Sequence, residues 1–154
     1  MKFSGKTEIE ASLTTTFAAF ADFDAFERDA TRAGTRVART DDLISPGPGM
    51  MWDIQAEFRG KPRKIEAELV DYDPPNSLDF KAVTSGFDAT VRVDLVPLSA
   101  RQTRAQISFD IRPTSLAARL MLQSARLAKG RLARKFHQRL ARFGRDLEKR
   151  IQSA

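Results

Sequence analysis

The pattern of apolar and polar positions changes period twice along the chain. In FSGKTEIEA, Phe3, Thr7, Ile9 and Ala11 alternate with charged or polar neighbours, which predicts a first strand. From Thr14 the period lengthens. TTTFAAFADFDAFERDATRAG places Phe17, Phe20, Phe23 and Phe26 three apart, predicting two short helices broken near Asp22 and closed by Gly34, with Asp24 and Glu27 spaced as a capping box. Alternation then returns in six segments, TRVART, MMWDIQAEFR, RKIEAELVDY, SLDFKAV, FDATVRVDLV and TRAQISFDIR. SPGPG, GKP, DPPN, SG and PLSARQ separate them, all rich in turn residues.

Within these strands one face collects Trp52, Ile54, Ala56 and Phe58, then Ile65, Ala67 and Leu69, then Leu78, Phe80 and Ala82. It continues with Phe87, Ala89, Val91, Val93 and Leu95 and ends with Ala105, Ile107, Phe109 and Ile111. The other face is mostly charged, and a sheet dry on one side and wet on the other is antiparallel. Something must cover the apolar side. The early helices are too short, which leaves the segment after Ser115. As one helix its 39 residues from Leu116 to Ala154 would reach about 58 Å, longer than a small domain is wide. A stripe at helical spacing runs Leu132, Phe136, Leu140, Phe143, Leu147, Ile151 and extends upstream through Ala118, Met121, Ala125 and Ala128. Arg131, Arg134, Arg142, Arg145 and Lys149 fall on the opposite side, and Gly130 is a candidate break.

Composition narrows the class. The chain has 154 residues, 42% apolar and 30% charged, which fits one soluble globular domain over 1–154. No apolar run reaches the roughly 20 residues that span a bilayer, and MKFSGKTEIE alternates instead of carrying a signal-peptide core, so a cytoplasmic location is expected. There is no cysteine and a single histidine, His137, so neither a thiolate nor a multi-histidine metal site is expected, and no cofactor is called for.

Certain stretches together resemble the START-like superfamily, often labelled SRPBCC. They are the first-strand KTEIEAS, the aromatic helices FAAFADFDAF, the GMMWDIQAEFRGK pair, the VDYDPPNSLDF hairpin and the terminal SLAARL and LARFGRDLEKRI. The superfamily includes pollen-allergen-like, polyketide-cyclase-like and coenzyme-Q-binding proteins. The resemblance covers essentially the whole chain and rests on element order and turn placement. It implies an α+β helix-grip fold: a seven-stranded antiparallel curved sheet wrapped around a long C-terminal helix, with two short helices between strands 1 and 2. It also implies a cavity between sheet and helix for a hydrophobic small molecule or lipid. Placed on the faces assigned above, the ligand-binding candidates are Trp52, Ile54, Phe58, Phe80, Phe87, Ala89, Val91 and Phe109 from strands, and Met121, Ala125, Leu132 and Phe136 from the helix. Opposed alanines on both faces leave space for such a cavity, or simply let helix and sheet approach closely.

Alternation sends Asp53, Glu57, Glu66, Glu68, Asp88, Arg92, Asp94 and Asp110 to the wet face, leaving few titratable groups for acid–base work. Thr103, Gln123 and Ser124 are candidates for the interior and Tyr72 for a rim, but no catalytic residue is assigned. A carrier, sensor or chaperone leads, and a cyclase- or dehydratase-like enzyme using the same cavity is the alternative. SPGPG is either an entrance gate or a stiff connection, and His137 a helix-flank position.

Finally, Arg126–Arg150 holds ten of the 26 lysines and arginines and two of the 20 acids, a balance of +8 against −2 for the remainder. A solvated helix back is the leading interpretation. Second comes weak contact with an anionic membrane surface or a partner, because Leu116, Leu120 and Leu127 share the side of Arg131, Arg134 and Arg145 on a straight helix. A break at Gly130 would instead make Leu116 to Ala128 a separate segment that buries those leucines elsewhere. Nucleic acid is disfavoured, since Phe136 and Phe143 belong to the core stripe and not to the charged face.

Overall fold

The computed structural model describes residues 1–58 and 60–154. Arg59, the last residue of the expected MMWDIQAEFR strand, lies outside the described residues. The elements in chain order are β1 (Lys2–Ile9), α1 (Leu13–Phe20), α2 (Phe23–Arg32), β2 (Arg36–Arg39), β3 (Met51–Phe58) and β4 (Lys61–Asp73). They continue with β5 (Ser77–Thr84), β6 (Phe87–Ser99), β7 (Gln102–Pro113), α3 (Leu116–Arg126) and α4 (Lys129–Gln152). The seven strands form one curved antiparallel sheet in the order β1-β7-β6-β5-β4-β3-β2. β2 to β7 follow one another as a meander, and β1 joins at the far edge beside β7. This is the expected α+β helix-grip architecture.

Local chemistry explains the helical boundaries. Ser12 caps α1, its hydroxyl accepting from the Thr15 N–H at 3.2 Å, and Asp22 caps α2, its carboxylate accepting from the Ala25 N–H at 3.2 Å. The expected Asp24–Glu27 capping box does not form: Asp24 lies in the first turn of α2, and Glu27 turns inward. The break before Asp22 also resolves the three-residue spacing of the phenylalanines. On one continuous helix Phe17 and Phe26 would point about 180° apart. With the axis reset, Phe17, Phe20 and Phe23 are buried and Phe26 packs against the same core.

The β6–β7 connection is tighter than PLSARQ implied. β6 runs on to Ser99, with an irregularity between Pro97 and Ser99, a place where a residue without an N–H is tolerated.

The C-terminal segment is two helices. The break falls at Leu127–Ala128, and Gly130 lies inside the first turn of α4, so the glycine is not the breaker. Two anchors set two axes. Ala118 and Leu122 of α3 pack with Phe87, Ile111 and Met1 at one end of the sheet. α4 instead crosses β1 at two glycines. A Cβ on Gly5 would stand 2.8 Å from Leu140 Cδ2, and one on Gly144 would stand 2.5 Å from Thr7 Oγ1. Only at bare Cα atoms can the backbones approach this closely. Leu140 and Leu147 are buried, while Phe143 and Ile151 pack against the main core. No described helix is long and apolar enough to cross a membrane.

Candidate functional site

Between the dry face of the sheet and the roof made by α1, α2 and α4 lies a cavity of about 400 Å³. Val37, Trp52, Ile54, Ala67, Leu78, Phe80, Val91, Val93 and Ile107 form its strand side; Phe20, Phe23, Phe26, Glu27, Ala30 and Phe143 form its helical side. Of these only Glu27 carries a charge. The volume falls in the lower part of the range for small-molecule pockets, roughly 300–1,000 Å³.

The walls are stiff aromatics. Phe143 of α4 meets Phe20 at 5.5 Å between ring centroids and stacks on Phe26 at 5.9 Å. Phe23 meets Trp52 at 5.4 Å and Phe80 edge-on at 6.2 Å, and Trp52 meets Phe80 at 6.3 Å. Each such pair contributes about 0.5–1.5 kcal/mol beyond burial.

The polar chemistry sits at one corner. The Trp52 indole N–H donates to Glu27 Oε1 at 2.7 Å, and the Arg39 guanidinium lies 5.8 Å from the Trp52 ring centroid. Arg39 in turn clasps Asp41 with two hydrogen bonds, of 2.7 and 2.5 Å. The Asp41 carboxylate also accepts from the backbone N–H groups of Met51 at 2.8 Å and Leu43 at 3.0 Å. These bonds, the Arg39 bond foremost, hold its carboxyl well below the usual carboxylate range, and Asp41 raises Arg39. At the α2–α4 edge, Arg150 pairs with Asp29 and lies 5.0 Å from the Phe26 ring centroid. Among the described residues, no group of three or more His, Asp or Glu side chains is placed to hold a metal.

Four of the sequence candidates come together here: Trp52, Ile54, Phe80 and Val91. The others lie elsewhere. Phe87 joins the α3 anchor. Ala89 and Phe109 are half-buried on the same dry face but outside the lining, and Ala125, Leu132 and Phe136 are half-buried on the helices, Phe136 against Phe3 at 5.9 Å. Met121 is exposed, as is Phe58, which has the Arg63 guanidinium 5.8 Å from its ring centroid. Thr103 is buried and donates to the Ala11 carbonyl at 2.9 Å, Gln123 and Ser124 face solvent, and Tyr72 packs edge-on against Phe17. His137 is exposed, with Nε2 2.9 Å from the Ser4 carbonyl oxygen. The candidate set omitted the α2 contribution. Its signal was present: Phe23, Phe26, Glu27 and Ala30 recur at i, i+3, i+4 and i+7, a stripe in which Glu27 is the polar exception.

A family model described as polyketide cyclase/dehydrase and lipid transport matches residues 1–148. The chain belongs to that family. Solved structures of similar shape place this member of the polyketide cyclase/dehydrase and lipid transport family among START-like folds. The Zhui aromatase/cyclase from Streptomyces sp. R1128 is 12% identical, covering 86% of this chain and 87% of its own, at a TM-score of 0.64. A protein from Thermus thermophilus is 15% identical over 99% and 98% of the two chains, at 0.67. A START superfamily protein from Mycobacterium smegmatis is 14% identical over 87% and 95%, at 0.58. Identities this low establish a shared fold. No curated protein matches the sequence.

Proposed function

We propose that this family member binds a hydrophobic small molecule or lipid in the aromatic-walled cavity without transforming it. One observation carries the reading: a space of about 400 Å³ in which fourteen of fifteen lining residues are apolar. A guest gains about 25 cal/mol for each Å² of apolar surface withdrawn from water, and stiff walls reduce the ordering that binding costs. The family description, which includes lipid transport, agrees. The test is native mass spectrometry of freshly purified protein followed by organic extraction. A retained apolar adduct, absent from an Ala67→Leu/Val91→Phe variant that still folds, is the expected result. Ligand-free protein that also fails to take up a fluorescent fatty acid would overturn the reading.

The Glu27–Trp52 pair favours one alternative, a cyclase- or dehydratase-like enzyme. With Oε1 held by the indole, no described residue bonds to Oε2, and a carboxylate beside an apolar guest is placed to take a proton. The Streptomyces protein of similar fold is named an aromatase/cyclase. Glu27→Gln separates the two: a binder keeps its affinity within a few-fold, whereas an enzyme loses turnover while retaining its guest.

A further inference from the structure

Helix α3 has two apolar sides. Ala118 and Leu122 form the buried one. Leu116, Leu120 and Leu127 form the other, 72%, 56% and 92% exposed. At 100° per residue these leucines fall within about 40° of one another, turned away from Ala118 and Leu122, with exposed Arg119 and Arg126 along one flank. From Leu116 to Arg145 there are nine lysines and arginines and no acid. None of the nine takes part in an ion pair among the described residues. An apolar ridge flanked by unneutralised cations selects its partner by charge. A second copy of this chain would bring like charge against like charge, whereas an anionic bilayer offers phosphates to the arginines and an apolar boundary to the leucines.

We propose that α3 and the first turns of α4 dock on an anionic membrane surface. Leu116, Leu120 and Leu127 enter the boundary between headgroups and acyl chains, and Arg119 and Arg126 meet the lipid phosphates, with exposed Arg131 and Arg134 at the start of α4 adding charge attraction. This assignment stands whether or not the cavity holds a guest. The test is co-sedimentation of the full chain with phosphatidylcholine–phosphatidylserine vesicles and with phosphatidylcholine alone. Binding to the mixed vesicles only, weakening as salt rises, is expected. Leu120→Ser/Leu127→Ser should reduce affinity at least about tenfold while melting with the parent, since both side chains are exposed. Arg119→Glu/Arg126→Glu should reduce it as well. No binding to mixed vesicles, equal binding to neutral ones, or binding indifferent to the leucine changes would each overturn the proposal. So would a dimer in sedimentation velocity that the leucine changes abolish, because it would give the face to a second copy.

Discussion

Gly130 and Gly144 lie on one helix in opposite surroundings, so the same substitution should move stability in opposite directions. A Cβ on Gly130 meets nothing within 4 Å, so Gly130→Ala should stabilise by up to about 1 kcal/mol through helix propensity alone. Gly144→Ala drives its methyl into Thr7, and the overpacking cost of about 1–3 kcal/mol outweighs that gain. Urea denaturation of both variants checks the sign, and Thr7→Ala should recover much of the loss at Gly144. Asp41 gives a second prediction at this scale. Its folded carboxyl is held below the ordinary value near 4, so the stability it contributes is fully present above that value and lost only as pH falls towards its depressed folded one. The melting difference between the parent and Asp41→Asn should therefore stay constant from neutral pH to about pH 4 and shrink below it. A difference that vanished already near neutrality would exclude Asp41 as the group that pins the loop between β2 and β3.

At the scale of elements, the reset between α1 and α2 shapes the cavity roof. Removing its cap with Asp22→Ala should cost about 0.5–2 kcal/mol and loosen Phe23 and Phe26, read as a lower melting temperature with weaker guest binding. Phe143→Ala should cost about 3 kcal/mol, near the low end for a buried aromatic because Phe143 already borders empty space, and should admit bulkier guests. The strands and their inward faces were legible because alternation of period two is a local signal: Trp52, Ile54, Phe80 and Val91 followed from it. Alternation does not say how far along a strand the roof extends. That depends on where α4 crosses, which Gly5 against Leu140 and Gly144 against Thr7 decide by approaches between residues 135 and 137 apart in sequence. The sequence candidates therefore include Phe87, which belongs to the α3 anchor, and Ala89, which lies outside the lining. They omit Glu27, the polar exception in the α2 stripe, which bonds to an indole 25 residues away.

At the scale of the whole molecule the two candidate surfaces are separate but near. Along β6, Val91 and Val93 line the cavity, and Phe87 anchors α3, four residues or about 13 Å from Val91. A guest bound in the cavity should raise thermal stability by mass action, whereas vesicle binding through α3 should leave the affinity for a water-soluble fatty-acid probe unchanged; a probe affinity that moves with vesicle binding would show that the sites are coupled. Trp52 supplies the means to follow occupancy. It is the chain's single tryptophan, its N–H is tied to Glu27 and its ring borders the cavity. The protein thus carries one intrinsic fluorophore at its candidate binding site. Emission should change saturably as a guest displaces water from the indole face, so affinity can be titrated by light on the unlabelled chain.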